Sequence, residues 1–263
     1  MTVLAHQDVC SDFLERARRA SERILLLDYD GTLAPFTPDR MRAFPYRELP
    51  ELISRIMSCG TRVILVSGRP ATELVFLSGI NPHPEIWGSH GLERLLPDGT
   101  YLVEPLSRRQ GQALKSADRA LQDAGLASRI ENKPGGIAVH WRGVSEEEKS
   151  RIEKKTRLVF EPLAREHGFE LLEFDGGLEL RTASKNKGDA VSAILAECHA
   201  GFAAAYLGDD QTDENAFRAI KGQGLAILVR SEPRPTMADV WLRPPEELIR
   251  FLRDWLLACG AEA

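Results

Sequence analysis

The order of hydrophobic and polar residues changes twice along the chain, which predicts two kinds of sheet. Near both ends, short uninterrupted apolar runs such as residues 24–27 and 202–207 alternate with segments of helical periodicity. Uninterrupted runs of this length are typical of parallel strands that are buried on both faces. We therefore expect one parallel α/β sheet that is assembled from both ends of the chain.

The elements of this sheet follow each other as strand and helix. Predicted strands cover residues 24–27, 62–66, 86–87, 202–207 and 225–229, a hairpin covers 92–103, and predicted helices cover 46–59, 71–77, 187–198 and 245–257. Gly60 and Pro70 support two of these boundaries, because glycine often follows the end of a helix and proline fits a first turn.

The middle of the chain has a different pattern. A polar amphipathic helix over 107–124 precedes period-two alternation over 137–141, a second helix from Ser145 and a hairpin that ends near Arg181. This order is typical of a small α+β module with an antiparallel sheet. We predict a Rossmann-like parallel sheet core formed by residues 1–105 and 182–263, interrupted by an inserted α+β cap domain over 106–181.

Composition excludes several classes of partner. The 263 residues carry a formal charge of -5, which gives no basic surface for nucleic acid or an anionic membrane. No apolar run is long enough for a bilayer, and residues 1–20 lack the apolar core of a signal peptide. Four widely spaced cysteines indicate free thiols in a reducing compartment. We expect a cytoplasmic protein; the sequence indicates no oligomeric state.

Polar side chains directly follow three of the predicted strands. The first strand is followed by Asp28 and Asp30, the second by Ser67, and the strand at 202–207 by Asp209, Asp210 and Asp213. The carboxyl ends of parallel strands meet at one edge of the sheet, so we expect five carboxylates and one hydroxyl there. Carboxylates so close together need a cation, and oxygen ligands favour Mg²⁺.

The first of these segments has the residues of a covalent phosphoryl-transfer site. A buried Asp28 beside Asp30 suits a nucleophile next to an acid and base, while Thr32 supplies a hydroxyl donor. Lys187 at the start of a helix supplies positive charge for a phosphoryl group. Each feature also has a structural alternative, namely an Asp-Gly turn, a helix cap or a solvated lysine. Their shared position after buried strands favours the catalytic interpretation.

Four motifs resemble those of the haloacid-dehalogenase superfamily, and the resemblance extends from Arg23 to the C-terminus. They are Asp28-Tyr29-Asp30-Gly31-Thr32-Leu33, Ser67-Gly68-Arg69, Lys187-Gly188 and Gly208-Asp209-Asp210-Gln211-Thr212-Asp213-Glu214. The tyrosine between the aspartates and the form of the last motif resemble trehalose-6-phosphate phosphatases more narrowly. The resemblance implies a phosphatase of trehalose biosynthesis that hydrolyses trehalose 6-phosphate through an aspartyl-phosphate, with Mg²⁺ as cofactor.

The resemblance also implies a role for each motif residue. Asp28 is the expected nucleophile and a metal ligand, while Asp30 is the expected acid and base and gives its backbone carbonyl to the metal. Ser67 and Lys187 are expected to bind the phosphoryl group. The other expected contacts are Thr32, Gly68 and Arg69 to substrate, Asp209 to the metal, and Asp210 and Asp213 to metal-bound water and Lys187.

Charged residues of the predicted cap are candidates for sugar binding. The set comprises Glu131, Lys133, His140, Arg142, Glu179 and Arg181. Alternation puts the last four opposite the apolar side chains of their strands, and such a face is also compatible with simple solvation. The resemblance favours Glu131, Lys133 and Glu179 as sugar contacts and leaves the other three open.

Two further interpretations remain at this stage. The substrate is alternatively another glycosyl phosphate, such as glucosylglycerate or glucosylglycerol phosphate, since the segment from Trp87 to Gly91 departs from the family pattern. The protein is alternatively a non-catalytic sensor of sugar phosphates. We assign His90, in the same segment, no role.

Overall fold

The computed structural model describes residues 3–37, 39–166, 168–174, 176–183 and 185–260. The chain forms two compact units, one comprising the residues up to Leu102 and from Asn186 onward, the other Val103–Lys185. The cap boundaries predicted from the sequence, at 106 and 181, lie within this second unit. The α/β fold class with an inserted segment is confirmed.

The two units contain the following elements in chain order. The strands are β1 (Glu22–Leu27), β2 (Thr61–Val66), β3 (Glu85–Gly88), β4 (Glu93–Leu95), β5 (Tyr101–Val103), β6 (Ile130–Lys133), β7 (Gly136–His140), β8 (Phe169–Phe174), β9 (Gly177–Thr182), β10 (Phe202–Gly208), β11 (Leu225–Val229) and β12 (Val240–Leu242). The α-helices are α1 (Val3–Arg19), α2 (Leu49–Ser58), α3 (Ala71–Ser78), α4 (Arg108–Asp123), α5 (Glu146–Glu166), α6 (Lys187–Ala196), α7 (Glu214–Ile220) and α8 (Glu246–Ala258). Within the described ranges, no helix combines the length and the apolar character that a membrane span requires.

The first unit is built on an eight-stranded sheet with the order β12-β11-β10-β1-β2-β3-β4-β5. The six strands from β12 to β3 are parallel, and β4 pairs with β3 in the antiparallel direction. Strand β1 shows why the apolar runs are uninterrupted. Leu25 and Leu27 pack into the hydrophobic core on one face of the sheet, whereas Ile24 and Leu26 pack into the core on the other. Both faces are covered, so every position of the strand is apolar.

The position of β1 brings three loops together. Strand β1 lies between β10 and β2, and all three run parallel. The chain continues outward from β1 through β2 on one side and from β10 through β11 on the other, so the strand order reverses here. Such a switch point at the carboxyl ends of the strands is where open α/β sheets bind ligands. Asp28, Ser67 and Asp209 each directly follow one of these strands.

The second unit is a four-stranded antiparallel sheet with the order β6-β7-β9-β8. Its apolar face, which includes Val139 and Leu178, packs in one hydrophobic core with residues of α4 and α5. Strand β6 was not predicted: Glu131 and Lys133 were expected to precede the first cap strand but lie within β6 itself. This strand pairs with β7 across the tight connection at residues 134–135.

Candidate active site

Asp28 is buried at the end of β1 and is held by two side chains. Lys187 Nζ donates to Asp28 Oδ1 at 2.6 Å, and Thr32 Oγ1 lies 3.4 Å from Asp28 Oδ2. Lys187 is the first residue of α6, whose preceding residue Asn186 caps the helix by accepting from the amides of Gly188 and Asp189. This N-terminal capping by Asn186 fixes where α6 begins and therefore fixes the backbone position of Lys187.

Asp213 organises the loop after β10, residues 209–213, which we call the acidic loop. Its Oδ1 accepts from Lys187 Nζ at 2.7 Å and from the Tyr206 hydroxyl at 2.6 Å. Its Oδ2 accepts from the backbone amides of Asp209 and Asp210 at 3.1 and 3.0 Å. The expected contact between Asp213 and Lys187 is present, and this fully hydrogen-bonded carboxylate also shapes the loop backbone.

Three carboxylates come together at this edge of the sheet. One oxygen each from Asp28, Asp209 and Asp213 lies within 4.8 Å of the others, and all three residues are buried. Burial, together with the neighbouring carboxylates, raises the pKa of both Asp28 and Asp209 despite the opposing effect of Lys187. The cluster therefore favours a bound proton or cation at neutral pH.

The donor set fits a hard divalent cation. Asp209 Oδ1 is buried, and among the described residues it has no hydrogen-bond partner. An unsatisfied buried carboxylate oxygen is costly unless an ion or water completes it. Mg²⁺ takes oxygen ligands and commonly one or two carboxylates, which suits Asp28 and Asp209. The charge of such an ion would also offset the repulsion that raises both pKa values.

Gly31 makes room for Asp209. Its backbone has a φ of +81°, and a Cβ built on it would lie 2.1 Å from Asp209 Oδ2. A side chain at position 31 therefore displaces the Asp209 carboxylate from the cluster. Gly60 provides a matched comparison, because its φ of +80° is almost the same and nothing lies within 4 Å of its ideal Cβ.

We expect Gly31→Ala to cost more stability than Gly60→Ala. Both variants bear the left-handed backbone cost of about 1–2 kcal/mol, whereas only Gly31→Ala also forces a buried group aside, which typically adds about 1–3 kcal/mol. Urea unfolding of the two variants measures the difference. Equal losses would show that the Asp209 side chain can move away without cost.

Asp30 is bound by Arg69 and lies outside the carboxylate cluster. Arg69 Nε donates to Asp30 Oδ2 at 2.6 Å, and Arg69 Nη2 donates to Asp30 Oδ1 at 2.7 Å. The Arg69 side chain is 7% exposed and also pairs with Glu73. Arg69, expected at the substrate, thus holds the proposed acid and base in a two-pronged ion pair.

The loop after β2 packs against the segment that departs from the family pattern. Ser67 is buried, and its Oγ accepts from the amide of Arg69. The His90 amide donates to the Ser67 carbonyl, and a Cβ on Gly68 would lie 2.6 Å from His90 Nε2. Ser89 and His90 both have positive φ, at 47° and 58°. His90, to which we assigned no role, therefore lies against the predicted phosphate-binding loop.

Asp210 is the fifth predicted acidic residue, and it is exposed. The structure brings together three of the five predicted carboxylates, while Asp30 binds Arg69 and Asp210 lies outside the buried group. The Asp210 backbone is nevertheless tightly held, because its carbonyl accepts from Arg234 Nη2 at 2.7 Å. Sequence reasoning missed Arg234, whose contacts join distant parts of the chain, and Tyr206, which lies within the apolar run of β10.

Five of the six cap candidates lie on one face of the second unit's sheet. The strand register places Glu131 opposite Ala138, Lys133 opposite Gly136, and Glu179 opposite Ala138 on the other side of β7. His140 lies two residues beyond Ala138, and Arg181 two residues beyond Glu179. All five side chains therefore project from the face opposite the hydrophobic core, as the alternation predicted for His140, Glu179 and Arg181.

Four of these five side chains contact one another in two pairs, and Arg181 pairs with Glu170. Lys133 Nζ donates to Glu179 Oε2 at 2.7 Å, and His140 Nε2 lies 2.7 Å from Glu131 Oε2. Arg142 differs from the prediction: β7 ends at His140, and Arg142 is exposed in the following turn. It does not share the strand face with the others.

The comparisons with known proteins agree on one family. Residues 26–243 match the family model described as trehalose-phosphatase. The chain is 29% identical to probable trehalose-phosphate phosphatase 9 of Oryza sativa subsp. japonica, over 94% of this chain and 73% of that protein. It is 31% identical to probable trehalose-phosphate phosphatase 3 of the same plant, over 90% of this chain and 70% of that protein.

Solved structures show the same fold. The C-terminal domain of Candida albicans trehalose-6-phosphate phosphatase has a TM-score of 0.73 at 20% identity, covering 96% of this chain and 97% of that one. A haloacid dehalogenase-like hydrolase from Bacteroides thetaiotaomicron has a TM-score of 0.63 at 16% identity, covering 89% and 99%.

Fold likeness does not by itself indicate catalysis. The C-terminal domain of the Candida albicans trehalose synthase regulatory protein also matches, with a TM-score of 0.68 at 12% identity over 94% of this chain and 97% of that one. The family model is more informative, because it matches most of the chain, from the strand before Asp28 to the end of β12. The chain therefore belongs to the trehalose-phosphatase family and is a phosphoric monoester hydrolase.

Proposed function

We propose that this protein hydrolyses trehalose 6-phosphate to trehalose and phosphate through an aspartyl-phosphate on Asp28, with Mg²⁺ as cofactor. The Asp28 carboxylate carries the proposal: it is buried at the end of the central strand, it accepts from Lys187, and Asp30 follows two residues later. The names of the matched rice proteins support a trehalose phosphate as the substrate. A nucleophile, an acid and a positive charge are what covalent phosphoryl transfer requires.

In the first proposed step, an Asp28 carboxylate oxygen attacks phosphorus. The new oxygen–phosphorus bond forms as the bond from phosphorus to the sugar oxygen breaks, and protonated Asp30 gives its proton to that leaving oxygen. The Lys187 ammonium, the Ser67 hydroxyl and the Gly68 amide bind the phosphoryl oxygens. Because Lys187 already donates to Asp28, it is close to the place where negative charge gathers.

In the second proposed step, Asp30 acts as the base. Its carboxylate takes a proton from water, the water oxygen attacks phosphorus, and the bond from phosphorus to Asp28 breaks, which releases phosphate and restores both carboxyl groups. Both Asp30 oxygens accept from Arg69. Each oxygen keeps a second lone-pair position, which is the proposed place for the transferred proton.

Asp28, Asp209 and the backbone carbonyl of Asp30 are the proposed ligands of Mg²⁺. The unpartnered oxygen of Asp209 and the raised pKa values of Asp28 and Asp209 support this assignment. When bound, Mg²⁺ would neutralise part of the charge on the carboxylates and on the phosphoryl oxygens. Asp213 is the proposed supporting residue, because its oxygens already bind Lys187 and the loop backbone.

The sugar is proposed to bind to the charged face of the second unit's sheet through Glu131, Lys133 and Glu179. A sugar offers many hydroxyl groups, and charged side chains form strong hydrogen bonds with them. An ionised carboxylate has about four lone-pair positions. Glu179 can therefore accept from a sugar hydroxyl while it retains Lys133.

A panel of phosphate esters tests the proposed substrate. We would measure phosphate release with Mg²⁺ from trehalose 6-phosphate, glucosylglycerate phosphate, glucosylglycerol phosphate and p-nitrophenyl phosphate. The proposal expects the highest kcat/KM on trehalose 6-phosphate. A clear preference for one of the other glycosyl phosphates would retain the reaction and replace the substrate, whereas release from none of them would refute the proposal.

We expect activity to require a divalent cation, with Mg²⁺ effective and Ca²⁺ not. Ca²⁺ prefers more ligands at longer distances, and a misplacement of about 1 Å can cost roughly a hundredfold in rate. Removal of metal with a chelator should abolish phosphate release, and added Mg²⁺ should restore it. Full activity after exhaustive chelation would contradict the metal assignment.

A further inference from the structure

Arg234, in the segment after β11, donates hydrogen bonds to backbone carbonyls of the acidic loop. Arg234 Nε donates to the Asp209 carbonyl at 3.3 Å, and Arg234 Nη2 donates to the Asp210 carbonyl at 2.7 Å. Arg234 Nη1 donates to Glu214 Oε1 at 2.5 Å and to the Pro235 carbonyl at 2.9 Å. One guanidinium thus engages four acceptors, and its side chain is only 13% exposed.

Glu214, the carboxylate partner of Arg234, also accepts hydrogen bonds from two other residues. Glu214 Oε1 also accepts from the Thr236 hydroxyl at 2.8 Å, and Glu214 Oε2 accepts from the Met237 amide at 2.8 Å. Arg230 Nη1 adds a longer contact of 3.4 Å to the Asp209 carbonyl. Glu214 begins α7 directly after the acidic loop. Arg234 therefore ties the start of this helix to the two peptide carbonyls of the loop.

The loop backbone is consequently fixed from two directions. Asp213 accepts from the amides of Asp209 and Asp210, whereas Arg234 donates to their carbonyls. With both peptide groups held, the direction of the Asp209 Cα–Cβ bond is determined, and with it the position of the buried carboxylate. Groups that orient a metal ligand typically change metal affinity or activity by roughly 10–100-fold when removed.

We propose that Arg234 is a positioning residue that sets the affinity of the acidic loop for a divalent cation. This inference rests on the proposed metal site at Asp28 and Asp209. Arg234 acts through the Asp209 backbone and touches neither the metal nor the substrate. Its planar fork spans two carbonyls and a carboxylate, which the single ammonium of a lysine cannot reproduce.

Mn²⁺ binding to the metal-free protein, measured by the electron paramagnetic resonance signal of free Mn²⁺, tests this proposal without an activity assay. We expect Arg234→Met to raise the Kd by roughly 10–100-fold, and Arg234→Lys to raise it by a smaller factor. Arg218→Met is the matched control, because Arg218 is exposed and donates to Asn215 instead of the loop carbonyls. It should leave the Kd unchanged.

The outcomes separate this proposal from the proposed function. If Arg234→Met lowers the thermal midpoint but binds Mn²⁺ with the wild-type Kd, the residue is only structural and the proposal is overturned. If Arg234→Met does not fold, the Kd of Arg234→Lys for Mn²⁺ is the deciding measurement, and a wild-type value overturns the proposal. Wild-type protein that binds no Mn²⁺, or an Asp209→Asn variant that binds it as the wild type does, would refute the metal site itself and this inference with it.

Discussion

Asp28→Asn is expected to reduce kcat for phosphate release by a factor on the order of 10⁴ or more, the largest effect of any single change considered. An amide cannot attack phosphorus, and the removal of a covalent nucleophile causes losses of this size in other enzymes. The fold should remain intact, because asparagine has the same shape and Lys187 retains its bond to Asp213. Steady-state kinetics and a thermal melt measure the two effects.

The proposed intermediate gives a second test of the same residue. Acid-quenched Asp30→Asn protein should contain phosphate covalently bound to the chain, because attack by Asp28 continues while the base for hydrolysis is absent. Acid-quenched Asp28→Asn protein should contain none. Asp123→Asn, which changes an exposed carboxylate at the end of α4, controls for the general effect of lost charge. Substantial turnover by Asp28→Asn would refute the nucleophile assignment.

Strands β1, β2, β10 and β11 were predictable from the sequence because they are buried on both faces, whereas the partly exposed edge strand β12 was not predicted. The run at 24–27 contributes side chains to two cores, so no polar position interrupts it. Helix α1 gave a weaker signal and was not predicted. Its packing residues Cys10, Phe13, Leu14 and Ala17 have helical spacing but lie among many charged residues. This stripe is buried only in the folded chain, where Phe13 packs against Trp255 of α8.

Strand β6 was missed for a related reason. Its four residues, Ile130 to Lys133, carry charge at two positions and asparagine at a third, so the apolar alternation expected of a half-buried strand is absent. Hydrogen bonding to β7 determines this strand. Short edge strands are therefore hard to identify from periodicity, and this one carries two of the three favoured sugar-binding candidates.

Within the site, the local motifs were predictable and the long-range contacts were not. Asp28 and Asp209 are identified by the apolar strands that precede them. The Asp30–Arg69 ion pair joins two motifs whose residues are 39 positions apart. Arg234 binds mainly backbone carbonyls. Every residue has a backbone carbonyl, so the sequence does not indicate which ones the arginine binds. Spacing along the chain thus predicted which strand ends meet, and only the fold determined which carboxylates share the buried cluster.

Glu131→Gln and Glu179→Gln are expected to reduce kcat/KM for trehalose 6-phosphate by roughly 10–100-fold each. A hydrogen bond to a charged group contributes about 1.5–3 kcal/mol, and about 1.4 kcal/mol corresponds to a factor of ten in rate. Glutamine retains the shape of the side chain, so the loss reports the charged contact. Hydrolysis of p-nitrophenyl phosphate should hardly change, because this ester has no sugar to bind.

Glu173→Gln is the matched control for both variants. Glu173 also lies in the second unit's sheet and pairs with Arg157, but its partner across the strands is the core residue Leu178 rather than Arg181 or Glu179. It therefore projects from the opposite face, and its replacement should leave both substrates unaffected. The loss of a sugar contact can slow only a substrate that has a sugar. If Glu131→Gln and Glu179→Gln slow both substrates equally, these residues therefore serve folding or closure. If they slow neither, the charged face is merely solvated and the sugar binds elsewhere.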